Sequence, residues 1–288
     1  MPVYNGETFI REALDSLLAQ SFIDYELIIS DNASTDNTEI ICREYAAKDH
    51  RIRYVRQLEN RGATENFRLL IDEAAAKYFM WAAADDKAAP NFIKEVFDVI
   101  NRDETIILVM TDVQNISSDG ALLEISRIEN IRKKDVVADW PKVRRLFFEN
   151  PTSNVFFCIY GLYRTKDMKL AQLNYKDKVK YAASSEVPWL AQISLLGKIV
   201  AIPYALKFYR RHYESIYHVE AKNFTVAKEI HNKINVSIIL LDILIHSNLS
   251  LTEKILTCKT IVFTFLRFIV VAVVRAAVRR IKDKMSNG

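Results

Sequence analysis

The sequence predicts an α/β fold built on a mainly parallel sheet flanked by helices. Two observations carry this. From residue 6 to residue 111, amphipathic stretches alternate with short apolar runs, the rhythm of helix and strand in a parallel sheet. Half of the residues are hydrophobic and only six are Gly and six Pro, which supplies a core and leaves little linker.

The elements follow in order. Residues 6–20 place Phe9, Ala13, Leu14, Leu17 and Leu18 on one helical face. Residues 25–30 are an apolar run ending at Asp31 and read as a buried strand. Asp36 with Glu39 is a capping signal for a helix over 40–48, and Asn5 is read as a cap for the first helix. Strand 52–56, helix 66–76, strand 78–84, helix 91–102 behind Pro90 and strand 106–111 complete the alternation. Beyond it, Ser117-Ser118-Asp119-Gly120 predicts a hairpin turn. A helix over 140–148, a strand over 155–163, a helix over 187–196 and strands over 199–203 and 206–211 come next. Everything from residue 221 reads as helix. A sheet of this kind starts with a strand, whereas this chain opens in the loop that should follow one, so the first strand is expected to be missing and Met1 to be an internal methionine.

Charge and cysteines exclude several classes. The net charge is +4, yet residues 253–284 alone carry +6 and the rest of the chain −2, so the main body has no basic surface for nucleic acid. Cys42, Cys158 and Cys258 are far apart and form no CxxC or His-Cys cluster, which argues against structural zinc and a disulfide framework. No GxGxxG occurs, so a dehydrogenase is disfavoured. A nucleotidyltransferase should carry a Gly-rich, Lys-bearing loop near its start; residues 1–20 hold one Gly and no Lys. The opening residues lack the apolar run of a signal peptide, which leads to the expectation of a cytoplasmic protein.

The acidic groups lie where ligands sit in such sheets, beyond the carboxyl ends of strands. Asp85 and Asp86 repel each other unless a cation or donor neutralises them. They read either as a site for a hard divalent ion shared with phosphate oxygens or as an acidic start to the helix behind Pro90. Asp31 reads as an acceptor for a base or ribose, with Ser34 to Asp36 forming a turn and helix cap. Tyr4 reads as a stacking surface for a flat base.

Taken in order, Pro2-Val3-Tyr4-Asn5-Gly6, Asp31-Asn32-Ala33-Ser34-Thr35-Asp36, Asn60-Arg61-Gly62 with Asn66, and Trp81-Ala82-Ala83-Ala84-Asp85-Asp86 resemble glycosyltransferase family 2, over residues 1–100. That resemblance implies the GT-A fold, a Rossmann-like mixed sheet, and a nucleotide-diphosphate sugar as donor. It implies that Pro2, Tyr4 and Asp31 hold the nucleoside and that Asp85 contacts the ribose or metal. Asp86 would bind a divalent cation, Mn²⁺ or Mg²⁺, and Arg61 and Arg68 would neighbour the phosphates. Further along, Gly161-Leu162-Tyr163-Arg164 is similar to a strand lining the acceptor side. Ser184-Ser185-Glu186 falls at the family's catalytic base, where a lone Glu186 replaces the usual aspartate. Tyr209-Arg210-Arg211-His212, with Ser215, resembles the loop that closes over the diphosphate, with His212 as a further ligand.

The implied protein is a metal-dependent inverting glycosyltransferase. Residues 1–215 would form the transferase domain, with a nucleotide-sugar half over 1–115 and an acceptor half over 116–215. Residues 216–288 would be a helical, membrane-associating segment. Residues 261–274 are almost wholly apolar but shorter than the roughly 20 residues of a spanning helix. With Arg267 inside the run and five cations after it, the segment reads as a helix lying on the inner face of the cell membrane. A core helix is the other reading. The acceptor implied is a cell-surface glycan or a lipid-linked molecule, and the alternative function is a membrane-docked, non-catalytic nucleotide-sugar-binding protein.

Overall fold

The computed structural model describes residues 1–128, 140–148, 154–171, 186–212 and 226–286. Its first sheet is parallel, in the order β1 (Pro2–Val3), β2 (Leu27–Asp31), β3 (Ile52–Arg56). The place expected to be empty is therefore occupied by a two-residue strand, with Pro2 opposite Ser30 and Val3 opposite Asp31. Helix α1 (Ile10–Leu18) buries Ile10, Ala13, Leu14 and Leu17, the i, i+3, i+4, i+7 stripe that the sequence carries. It starts at Ile10 rather than at Gly6 because residues 5–7 are tied to the loop after β2. Gly6 N–H donates to Thr38 Oγ1 at 2.8 Å, Glu7 N–H to Asp36 Oδ2 at 3.0 Å, and Asn5 Oδ1 accepts from Thr35 N–H at 2.8 Å. Asn5 is thus a clasp between loops and not a helix cap. At α2 (Thr38–Lys48) the N-cap is Asn37, and Asp36, one residue earlier, accepts from the first helical N–H, that of Thr38, at 3.0 Å.

α3 (Ala63–Glu73) leads to the second sheet, of order β4-β8-β6-β9-β5. Its strands are β4 (Tyr78–Met80), β5 (Lys87–Ala88), β6 (Ile106–Ile116), β8 (Leu162–Arg164) and β9 (Lys198–Arg210), with β7 (Leu122–Ser126) paired to β6 across the expected hairpin turn. β6 and β9 run parallel at its centre, and the others are antiparallel to their neighbours. Burial along β6 is nearly continuous, as befits a strand covered on both faces. α4 (Phe92–Arg102) packs on this sheet, and Arg164, itself buried, donates to the carbonyls of Ile100 and Asp103 past its end.

Three strand expectations are corrected. β4 stops at Met80, because Trp81 turns into the core against Trp189 (ring centroids 5.0 Å apart) and residues 81–86 swing towards β9. Residues 155–163 are mostly a 3-10 stretch (Asn154–Tyr160) ahead of β8, pressed so closely on β6 that a Cβ on Gly161 would lie 2.6 Å from the Val109 carbonyl oxygen. The two strands read over 199–211 are one, β9, whose register with β6 shifts at Thr111/Asp112. Pro203, which has no N–H for a ladder, falls at that irregularity.

α6 (Thr165–Leu170) packs on β8, α7 (Glu186–Leu196) on the 3-10 stretch before it, and α5 (Trp140–Arg145) on α7. α8 (Val226–Ile245) and α9 (Leu251–Ser286) pack together, and Val236, Ile239 and Leu240 of α8 join Phe148, Val187 and Ala191 in one apolar cluster. Ser250 and Glu253 form a capping box at the start of α9.

Candidate active site

The loop after β1 and the turn after β4 meet. A Cβ on Gly6 would lie at van der Waals distance, 3.8 Å, from Ala84 Cβ across the two segments, and would meet Val3 Cγ2 of its own segment at 2.7 Å. Tyr4 stands exposed on the first loop, and Pro2 is buried in β1. Asp31 ends β2 fully buried. Its Oδ1 accepts from Ser34 N–H at 2.8 Å, and its Oδ2 from Tyr54 Oη at 2.6 Å and Arg56 Nη1 at 2.8 Å. Burial, then Asp31, pushes the Tyr54 phenol up. The carboxylate expected to meet a nucleoside is therefore engaged by its own fold, and organises the residues around it.

Asn32 positions the next loop, accepting from Arg61 N–H at 2.9 Å and donating to Asn60 Oδ1 at 2.8 Å, which leaves the Arg61 side chain exposed. Asn66 is structural: buried, it donates to the Ser30 carbonyl at 2.9 Å and latches α3 onto β2. Arg68 pairs with Glu65 at 2.6 Å on an exposed helix face.

Asp85 and Asp86 point in opposite senses. Asp86, expected to hold the cation, is 2% exposed and turned inward. Its Oδ1 accepts from Arg210 N–H at 2.9 Å, and Lys207 Nζ lies 3.1 Å from Oδ2, at ion-pair distance without hydrogen-bond alignment. Burial pushes the Asp86 carboxyl up to about 6, with Lys207 opposing and Asp85 adding to the shift. A cavity of about 10 Å³, room for one water, adjoins this pair. Asp85 has a side chain 37% exposed, and its Oδ2 is 2.9 Å from His212 Nε2. Strand and turn thus bring together two residues that are far apart in sequence, Asp85 and His212, and withdraw Asp86 from them.

Arg210, expected over a diphosphate, is buried. It donates to the Asp85 carbonyl at 2.9 Å, the Ser118 carbonyl at 2.8 Å and Glu12 Oε2 at 2.9 Å. Arg211 is held by Glu124 and Asn115, and His212 bonds the Asp85 carboxylate. The missed residue, Lys207, left one signal: a cation inside an otherwise apolar strand needs a buried partner.

Glu186 opens α7, where the helix dipole favours a carboxylate. Its charge acts on Tyr160, whose phenol is pushed far up by burial first and then by Asp86, Asp85 and Glu186 among its neighbours. Tyr160 also lies under Lys207, with Nζ 5.2 Å from its ring. Tyr160 thus feels the charges of both Asp85 and Glu186. Ser184, Ser185 and Ser215 fall outside the described residues. Tyr163 and Arg164, expected to line an acceptor, are interior, with Tyr163 Oη bonded to the Cys158 carbonyl at 2.7 Å.

Among the described residues no three His, Cys, Asp or Glu gather as a metal cage. Asp85 and His212 supply one carboxylate and one imidazole. One carboxylate oxygen and one imidazole nitrogen are ligand types that a first-row divalent ion such as Mn²⁺ accepts.

The family profile described as glycosyl transferase family 2 matches residues 1–169. An uncharacterized glycosyltransferase of Rickettsia prowazekii is 37% identical over 102 residues, 35% of this chain and 31% of that protein. Glycosyltransferase GlyA of Streptococcus pneumoniae is 30% identical over 100 residues, 35% of this chain and 14% of GlyA. The matched stretch thus spans about a third or less of these relatives. The crystal structure of S. aureus TarS 1-349 superimposes with a TM-score of 0.68 at 16% identity, covering 93% of this chain and 70% of that one. The mannosyltransferase PcManGT from Pyrobaculum calidifontis, in complex with GDP-Man and Mn²⁺, gives 0.56 at 14%, covering 97% and 77%. At such identities the likeness shows the fold, a mixed α/β sheet of GT-A type. Sharing that fold and matched by one profile over more than half its length, the chain belongs to glycosyl transferase family 2.

Proposed function

We propose that this chain moves a sugar from a nucleoside-diphosphate donor to a hydroxyl of a glycan or lipid-linked acceptor, with inversion at the anomeric carbon. The observation that carries the reading is the pairing of Asp85 with His212 at 2.9 Å beside the loop bearing Tyr4. Tyr4 would stack on the base, and Arg61 would flank the nucleotide. Asp31 and Pro2 would act by shaping the site, since both are buried. Asp85 and His212 would hold Mn²⁺ or Mg²⁺, and Asp86 would brace the turn through Lys207 and Arg210. When bound, the cation neutralises charge on the departing diphosphate.

Glu186 would accept the acceptor's proton as that oxygen forms the new bond to C1, while the C1–O bond to the diphosphate breaks and the diphosphate leaves with the electron pair. A base at one carboxylate, with no covalent sugar–enzyme step, inverts the centre. The lone glutamate at that position favours one second reading, a protein that binds the donor and never turns it over.

The test is nucleoside-diphosphate release from UDP- and GDP-sugars with Mn²⁺, comparing wild type with Asp85→Ala and Glu186→Gln. Full metal-dependent turnover by Asp85→Ala overturns the cation assignment. Donor binding by the wild type without turnover of any donor–acceptor pair favours the second reading.

The division at residue 215 belongs to the same proposal, with α8 and α9 as the part that meets the inner face of the cell membrane. Leu251–Ala272 is long and apolar enough to cross a bilayer, with hydropathy 2.0, yet only 17% of it is buried. Ile255, Val262, Phe263, Leu266 and Val270 are exposed along it, with Lys259 and Arg267 among them. Crossing is disfavoured by what α9 packs on. Lys233 of α8 lies 5.4 Å from the Phe268 ring, so a charged group shares its depth. A helix lying in an anionic interface satisfies both the apolar face and the cations.

A further inference from the structure

We infer that Phe9 is a positioning residue for the Asp85–His212 pair, a role that rests on the cation reading above. Phe9 directly precedes α1, and its backbone is fixed there: its N–H donates to the Gly6 carbonyl at 3.2 Å, and its carbonyl accepts from Ala13 N–H at 3.1 Å. Ile10, Ala13 and Leu14 anchor the helix behind it in the core. The ring is therefore presented from a rigid element.

Two groups of the candidate site meet that ring. The Arg210 guanidinium carbon is 4.7 Å from its centroid, and the His212 imidazole centroid is 4.8 Å away with the planes at 57°. His212 lies past the last ladder pair of β9, Ile116 with Arg210, so no sheet register orients its side chain. Its imidazole is instead bounded by Phe9 on one side and bonded to Asp85 on another. Arg210, desolvated and therefore strongly attracted to the ring, carries the Asp85 carbonyl on its Nε at 2.9 Å. Glu12, one turn further along α1, completes the clamp on Arg210 Nη2 at 2.9 Å. The first turn of α1 thus sets both halves of the pair: His212 directly, and Asp85 through Arg210. Leucine at position 9 fills similar space without a flat face, and frees the imidazole to turn away from Asp85.

The test is Mn²⁺ affinity, read from the free-ion EPR signal in the presence of UDP or GDP, on the full chain, with thermal melting alongside. Phe9→Leu should weaken Mn²⁺ about 10- to 100-fold, the usual effect of removing an outer support of a metal ligand, and Phe9→Tyr should restore it. A packing role alone predicts a lower melting temperature for Phe9→Leu with Mn²⁺ affinity unchanged, and that result overturns the proposal. Asp85→Ala separates the two levels. If Asp85→Ala binds Mn²⁺ like the wild type, the cation reading itself fails. If it loses Mn²⁺ while Phe9→Leu does not, the positioning role alone is lost. Should Phe9→Leu not fold, Glu12→Gln replaces it: a smaller loss of Mn²⁺ affinity supports the role, and no loss overturns it.

Discussion

At the scale of single residues, adjacency in sequence is a poor guide to shared role. Asp85 and Asp86 differ by one position, yet the peptide between them turns one carboxylate to solvent and the other to a buried lysine. Their alanine variants should therefore fail differently. Asp86→Ala strands Lys207 as an unpaired buried cation and should cost about 3–5 kcal/mol in urea unfolding. Asp85→Ala should change stability by about 0.5 kcal/mol or less and lower metal-dependent turnover about 100-fold. Equal destabilisation by both would refute the division of roles. Asp86 also predicts a pH effect. Its folded carboxyl titrates at about 6 and its unfolded one near the usual ~3.9, so the folded state holds the proton more tightly. Its contribution to stability is then present below pH ~4 and lost as pH rises to about 6. Subtracting the Asp86→Asn stability profile from that of the wild type should reveal a fall across this window. The acidic pair was legible in the sequence; which member faces solvent was not, because Lys207 and Arg210 arrive from a strand more than a hundred residues away.

At the scale of elements, periodicity located helices well and strand ends poorly. The α1 stripe predicted most of its buried face, since a helix lays i, i+3 and i+4 side by side whatever it packs on: Ala13, Leu14 and Leu17 are buried as expected, Ile10 joins them, and Phe9 and Leu18 are half-buried. The run 78–84 is apolar throughout, but its ladder ends at Met80 where Trp81 leaves for the aromatic core. Residues 155–163 are as apolar as a strand, yet 154–160 fold as a 3-10 stretch and only Leu162 and Tyr163 join the sheet, with Gly161 pressed on β6 at the junction. Gly161→Ala should accordingly destabilise by about 1–3 kcal/mol, because the new methyl would meet the Val109 carbonyl oxygen at 2.6 Å as well as Leu108 Cδ1 at 2.5 Å, and the backbone cannot swing aside. Chemical denaturation measures this, and a neutral result would contradict the packing described for β6 and β8.

At the scale of the molecule, α8 and α9 join the α/β core through one apolar cluster and leave an outer face of large apolar side chains. Vesicles containing anionic phospholipid should sediment the protein, and neutral phosphatidylcholine vesicles should not. Salt should weaken the binding, as should Lys259→Glu with Arg267→Glu. A concentration-dependent dimer with no vesicle binding would mean that a second copy covers this face instead. Thiol chemistry reports on the same packing. Burial, and then Asp31 and Asp36, push the Cys42 thiol up to about 12; burial alone pushes Cys158 up, while Cys258 is only half-buried on α9. One of the three cysteines should react quickly with a disulfide reagent at pH 8 before unfolding, and all three after it.

The sequence by itself determined the α/β class, the family resemblance and the acidic and aromatic groups at the strand ends, because these follow from local periodicity and from ordered motifs. Only the tertiary structure decided that Asp31 is spent on Tyr54 and Arg56, that Asp86 is interior, and that His212 meets Asp85 beside Phe9. Those outcomes depend on which side chains converge from distant segments, and convergence is set by sheet register and helix packing rather than by spacing along the chain.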